Sequence, residues 1–184
     1  VKNQAEKQWV KNRDLLELFN KTICIIGCGS VGTECAKRFQ SFGCKVIGVD
    51  INPYKSTDFE NIFPIEDLNS VLSKSDIVVL TVPLTRKTFH LLDDERFSHL
   101  KKGTIIVNIS RGALIKTETL LAALKNQLMG AVLDVFEEEP LDSNSPIWNM
   151  ENVILTPHNS FVGDGNHQRL WATIQKNLRN YKKN

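Results

Sequence analysis

Four short segments of this 184-residue sequence hold groups that could do chemistry. Gly27-Cys28-Gly29-Ser30-Val31-Gly32 is a GxGxxG that directly follows an apolar run and opens a helical pattern, the setting in which such a loop can hold a dinucleotide diphosphate. Gly27 would permit the tight turn, Gly29 would let the backbone approach the diphosphate, and Gly32 would let the helix pack closely on the strand. The phosphates would rest on unpaired N–H groups at a helix N-terminus, where the helix dipole favours negative charge without a basic side chain. Asp50, eighteen residues after Gly32, ends the next strand and can accept hydrogen bonds from both adenosine ribose hydroxyls. It would repel a 2′-phosphate, and no Arg follows in Ile51-Asn52-Pro53-Tyr54, so NAD is preferred to NADP. Taken alone, these features also fit an S-adenosylmethionine methyltransferase, and Asp50 could simply form a turn with Asn52-Pro53. The other three segments are Asn108-Ile109-Ser110-Arg111-Gly112, Phe136-Glu137-Glu138-Glu139-Pro140 and Thr156-Pro157-His158-Asn159-Ser160. Among them they offer a guanidinium, carboxylates and an imidazole.

Those groups can act together only if the fold brings them to one place. The run Thr22 to Ile26, a helical pattern from Val31 to Phe42 and the run Lys45 to Val49 form a βαβ unit. Further strands are expected at Asp76 to Val82, Thr104 to Ile109, Gly130 to Val135 and Val153 to Thr156, several of them continuously apolar like parallel strands covered on both faces. Helical patterns cover Ile65 to Ser73 and Thr117 to Leu128, the latter with Leu120, Leu124 and Leu128 on one face and Gly130 to end the turn. A last helix carries Leu170, Ile174, Leu178 and Tyr181 on one side, with Asp164 as its cap. Residues 2 to 19 read as an amphipathic helix through Ala5, Trp9, Leu16 and Phe19. The expected architecture is α/β: a doubly wound parallel sheet of Rossmann type in three α/β/α layers, folding as one unit over residues 1–184. In such a sheet the C-terminal strand ends face the ligand crevice, and each of the four segments follows a strand.

In this order, GCGSVG, the Asp50 ending, TVPLTRKT, NISRGALI, LDVFEEEP and TPH resemble the D-isomer-specific 2-hydroxyacid dehydrogenase family over nearly the whole chain. The resemblance implies hydride transfer between NAD(H) and a D-2-hydroxy acid or its 2-oxo acid, with Arg111, Glu139 and His158 as the catalytic set. A guanidinium offers planar paired donors to the carboxylate and carbonyl of a 2-oxo acid. His158 would give a proton to the new alkoxide, or remove it on oxidation. Glu139 would hold the imidazole and favour its protonated form, with Glu137 or Glu138 as substitutes. The resemblance further implies cofactor contacts from Ser30, Val31, Val82, Pro83, Thr88, Ile109, Asp134, His158 and Ser160. Asp134 has a second reading as a strand-end cap. His90, His99 and His167 lie outside these motifs and read as surface or core histidines. Many members follow the histidine with a small apolar residue and glycines, whereas here Asn159-Ser160-Phe161-Val162 follow, which bears on local cofactor contacts and on specificity.

Composition narrows the partners. Lys and Arg number 23 against 21 Asp and Glu, so a net charge of +2 gives no field suited to nucleic acid or a membrane surface, and a small 2-oxo or 2-hydroxy acid is the expected partner. No apolar run reaches the ~18 residues of a bilayer crossing and the first residues are polar, so a cytoplasmic protein is expected. Cys24, Cys28, Cys35 and Cys44 form no CxxC pair and have no His nearby, so no metal is expected. The sequons at Asn20 and Asn108 read as chance matches. The family places a substrate-covering domain ahead of this one, and this sequence starts with Val at the connecting helix. It therefore reads as an NAD-binding domain alone, binding NAD, turning over poorly and pairing as a homodimer. The alternative is an NAD-sensing, corepressor-like binding protein of the same fold. An S-adenosylhomocysteine hydrolase type of domain is disfavoured because NISRG, EEEP and TPH occur together.

Overall fold

The computed structural model describes residues 2–11 and 15–181. Its elements are α1 (Lys2–Ala5), β1 (Thr22–Ile26), α2 (Ser30–Ser41), β2 (Lys45–Asp50), β3 (Asn61–Pro64), α3 (Leu68–Leu72) and β4 (Ile77–Leu80), then α4 (Asp94–Ser98), β5 (Ile105–Asn108), α5 (Thr117–Asn126), β6 (Gly130–Leu133), β7 (Val153–Leu155) and α6 (Asn166–Tyr181). Seven strands pair in the order β3-β2-β1-β4-β5-β6-β7, and each pairing is parallel. The chain winds outward from β1 to β3, then crosses back to β4 on the other side of β1. That reversal opens a crevice at the C-terminal ends of β1 and β4.

Alternation along the strands divides the core. Ile23 and Ile25 pack with Ala36 of α2 and Val46 on one face, while Cys24 and Ile26 pack with residues of α3, α4 and α5 on the other. The sheet is therefore the middle of three layers. All four residues of β4 are buried, as its uninterrupted apolar run requires. Among the described residues, no helix is long and apolar enough to cross a membrane.

Several expectations are corrected. The helix read over residues 2–19 is a single turn, Lys2–Ala5; residues 12–14 lie outside the described residues. Trp9 is 94% exposed, and Leu16 and Phe19 are also exposed, the Phe19 ring lying only over Gly43, so the apolar stripe buries too little to stabilise a helix of that length. The segment from Ile65 is a 3₁₀ turn followed by the short α3. Gly130 does not end α5 but opens β6, where a Cβ would lie 2.4 Å from the Asn152 carbonyl oxygen. The edge strand β3 and the short α4, capped by the Asp93 side chain on the Arg96 N–H, carry no periodic signal of their own. The apolar residues of α6 do share a side, but none is buried.

Gly32 fixes how α2 meets β1, since a Cβ there would sit 2.0 Å from the Gly27 carbonyl oxygen. Gly29 is the opposite case: its Cβ would meet nothing within 4 Å. Gly32→Ala is expected to cost about 1–3 kcal/mol in urea unfolding through overpacking, while Gly29→Ala stays within about 0.5 kcal/mol of the native chain. Equal costs at the two positions would contradict this division of roles.

Candidate functional site

The loop after β1 starts at Gly27, whose φ of +99° suits glycine and whose N–H donates to the Val49 carbonyl at 2.8 Å. Helix α2 then begins at Ser30, with Gly29 as N-cap and no side chain capping it. Open space over Gly29, exposed Ser30 and Val31 beside it, and a twelve-residue helix behind it fit the diphosphate of a dinucleotide. Asp50 is half-buried at the end of β2. Its Oδ2 accepts the Cys28 N–H at 2.8 Å and its Oδ1 the Asn52 N–H at 3.0 Å. Thr81, just past β4, donates its hydroxyl to the Gly27 carbonyl at 2.7 Å, and Val82 lies against the same turn. The Val82 carbonyl accepts the Ser110 hydroxyl, and the Pro83 carbonyl accepts that of Thr88 at 2.8 Å. Val82 thus lies against the glycine loop, with Pro83 and Thr88 in the segment that follows β4 and the half-buried Ile109 just past β5.

Asn108 shapes the turn that presents Arg111. It is 1% exposed, accepts the Ser110 N–H at 3.1 Å and donates to the Arg111 carbonyl at 2.9 Å, which places the second sequon out of reach. Gly112 packs directly on the Phe136–Glu137 backbone, where a Cβ would fall 1.8 Å from the Phe136 carbonyl carbon. The Arg111 side chain is exposed and donates to the Ser110 carbonyl at 2.7 Å. Among the described residues it makes no hydrogen bond to Glu139 or His158.

His158 and Glu139 do meet, with Nδ1 and Oε2 2.6 Å apart. Glu139 Oε1 also accepts the Phe136 N–H at 2.9 Å. Burial works against the Glu139 charge, but the bonds from His158 and Phe136 overrule it and hold the carboxyl below the usual range. An ionised Glu139 requires Nδ1 to carry the proton and leaves Nε2 for exchange with a substrate. His158 has a φ of +49°, uncommon for a residue with a Cβ, and its N–H donates to the Asp134 carbonyl at 2.7 Å. The Asp134 carboxylate, 2% exposed, accepts the Thr156 hydroxyl and, at 3.0 Å each, the Asn159 and Ser160 N–H groups. Both Asp134 oxygens and the Ser160 amide are therefore engaged in holding the loop that carries His158.

A second histidine–carboxylate pair has no counterpart in the sequence reading. His90 Nε2 lies 2.6 Å from Glu137 Oε1, while Glu137 Oε2 accepts the Thr117 N–H at 2.7 Å and the Thr117 hydroxyl. Of the three consecutive glutamates, Glu137 anchors α5 and the segment through His90, and Glu139 serves His158; Glu138 is exposed, as are His99 and His167. The roles of Thr156, Asn108 and Thr81 were missed by the sequence, although polar residues at the ends of buried strands are a signal that partners await them; Glu137 was named there only as a substitute for Glu139, not as the partner of His90 and Thr117.

Burial disfavours the charge of Asp134, yet the bonds from Thr156, Ser160 and Asn159 bring its pKa down to about 2. Because this lies below the ordinary 3.8, the carboxylate's contribution to stability is complete above that value and is lost as pH falls toward 2. Asp134→Asn is expected to unfold at lower urea than the native chain at neutral pH, with the gap closing between about pH 4 and pH 2. A gap that ignores pH would contradict the assignment.

The sequence profile described as "D-isomer specific 2-hydroxyacid dehydrogenase, NAD binding domain" matches residues 1–160. A glyoxylate reductase from Thermofilum pendens is 41% identical over 166 residues, covering 88% of this chain and 48% of that protein. A D-3-phosphoglycerate dehydrogenase from Methanocaldococcus jannaschii is 41% identical over 145 residues, covering 78% of this chain and 28% of that protein. The crystal structure of a D-isomer specific 2-hydroxyacid dehydrogenase from Xanthobacter autotrophicus Py2, in complex with NADPH and MES, superimposes with a TM-score of 0.86 at 31% identity, covering 99% of this chain and 74% of that one. The chain thus spans about half the length of the glyoxylate reductase it matches. Its glycine loop and the residues around it are suited to a nicotinamide dinucleotide, and the chain belongs to the D-isomer specific 2-hydroxyacid dehydrogenase family as an NAD-binding domain.

Proposed function

We propose that this chain is the cofactor half of an NAD-dependent oxidoreductase that interconverts a small 2-oxo acid and its D-2-hydroxy acid. The observation that carries the reading is the 2.6 Å pairing of His158 with Glu139 at the sheet end that also presents Gly27–Gly32 and Arg111. When bound, the nicotinamide supplies hydride to the substrate carbonyl carbon, or accepts it in the reverse direction. Arg111 leaves the Ser110 carbonyl to bind the substrate carboxylate and polarise the carbonyl. His158, oriented by Glu139, gives its Nε2 proton to the oxygen as the C–H bond forms, and takes it back on oxidation. Asp50 favours NAD, since a 2′-phosphate beside its carboxylate meets like charge. The relative named as a glyoxylate reductase makes glyoxylate the first substrate to try.

A further domain supplies the opposite wall of the cleft in this reading, and the domain of residues 1–184 alone binds the cofactor but turns over poorly because water is not excluded. Two copies associate as a homodimer, for which exposed Trp9, Leu170 and Trp171 are available.

Calorimetric titration of the chain tests the cofactor half of the proposal. NADH is expected to bind about tenfold or more tightly than NADPH, a difference of about 1.4 kcal/mol; equal or inverted affinities would contradict the role of Asp50. For the chemistry, His158→Gln in the protein carrying both domains is expected to lower kcat by about 10²–10⁴ with NADH affinity retained. Near-normal turnover in that variant would remove His158 from proton transfer.

A further inference from the structure

We propose that Tyr54 is a positioning residue for the cofactor diphosphate, acting with Asp50 to clamp the middle residue of the glycine loop. The inference rests on the diphosphate lying over Gly29. A loop with glycines on either side of one residue is poorly ordered by its own backbone, and ordering it on binding would reduce affinity. Here the residue between the glycines is held on every side. Cys28 is 3% exposed, and its Sγ fills the space beside Gly48, where a Cβ would lie 2.3 Å from it. Burial, and then the nearby Asp50 carboxylate, push its thiol up to about 12, so it packs rather than reacts. Its N–H donates to Asp50 Oδ2 at 2.8 Å, and its carbonyl accepts the Tyr54 hydroxyl at 2.6 Å, with the Thr33 hydroxyl at 3.4 Å. The peptide planes before and after Cys28 are thereby fixed from the last residue of β2 and the segment that follows it. The amides of Gly29, Ser30 and Val31 come next in the chain and inherit that orientation.

Two consequences follow from this arrangement. Asp50 serves the Cys28 and Asn52 N–H groups as well as the ribose, so its removal does not simply open the site to a 2′-phosphate. The Tyr54 hydroxyl, which donates to the Cys28 carbonyl and lies 3.5 Å from the Thr33 hydroxyl, acts on phosphate binding through the glycine loop rather than through the adenosine ribose.

The experiment is a titration of the native chain, Tyr54→Phe, Asp50→Ala and Asp50→Asn with NADH, NADPH, ADP-ribose and adenosine, using amide NMR spectra to follow weak ligands and to show that each variant is folded. Tyr54→Phe is expected to weaken NADH and ADP-ribose about three- to tenfold, the worth of one hydrogen bond, and to leave adenosine unchanged. Asp50→Ala is expected to weaken NADPH as well as NADH, whereas Asp50→Asn, which keeps an acceptor for the Cys28 N–H, weakens NADPH less. Unchanged NADH affinity in Tyr54→Phe, or an equal loss for adenosine, would overturn the clamp while leaving the cofactor site standing. A native chain that binds neither NADH nor ADP-ribose would overturn the placement of the diphosphate and the clamp with it.

Discussion

Asp134 is a carboxylate buried just past the end of β6, and a charge in that position persists only if hydrogen bonds replace the water it has lost. The replacements all come from one stretch of chain, Thr156 to Ser160, so satisfying the charge and folding the histidine loop are the same event. The loop must bend to deliver those donors, and the bend puts His158 at a φ of +49°. A backbone conformation that costs free energy is thus held by bonds to a single carboxylate. From there the imidazole reaches Glu139, and the ionised state of Glu139 selects the tautomer with the proton on Nδ1, the one the proposed proton transfer at Nε2 requires.

The sheet makes this local arrangement useful. Parallel pairing in one register sends β1, β4, β5 and β6 out at the same edge, so the glycine loop, the Val82 segment, Arg111 and Asp134 all lie at their C-terminal ends. Hydrogen bonds from side chains and backbone then join neighbouring ends. Thr81 reaches the Gly27 carbonyl, Ser110 that of Val82, and the Asp134 N–H donates to Asn108. Glu137 extends the same lattice to α5 and His90. The crevice is therefore a set of loops tied to one another, each carrying one of the groups to which the proposed hydride and proton transfer assigns a role.

Much of this was legible in the sequence, and the exceptions have physical causes. Strands covered by helices leave apolar runs, which is why Thr22–Ile26 is read to the residue and β4, β5 and β6 to within two at each end; the edge strand β7, with Ile154 exposed, is found as closely because its short run is apolar as well. The assignment of Glu139 rather than Glu137 to His158 came from the family resemblance, because three consecutive carboxylates are equivalent until the turn at Phe136 points them in different directions. Periodicity misled at residues 2–19, where an apolar stripe has no surface to cover, and it was silent at β3, whose Asn-Ile-Phe-Pro is too short to show a period. Tyr54 entered only as a residue that is not Arg, since no pattern in the sequence says that its hydroxyl reaches Cys28. Asp134 drew two readings, and the structure engages it as a loop anchor while leaving its part in cofactor binding to be tested.

The C-terminal edge of the sheet is proposed to hold the cofactor's diphosphate at Gly29 and its reactive ring beside His158. A crystal structure of the chain with NADH bound tests this most directly. The account predicts diphosphate oxygens within hydrogen-bonding distance of the Gly29–Val31 amides, ribose hydroxyls on Asp50 and the nicotinamide ring at the ends of β4 to β6, next to His158. A dinucleotide bound at another edge, or one whose nicotinamide lies away from His158 with the His158–Glu139 pair intact, would contradict it.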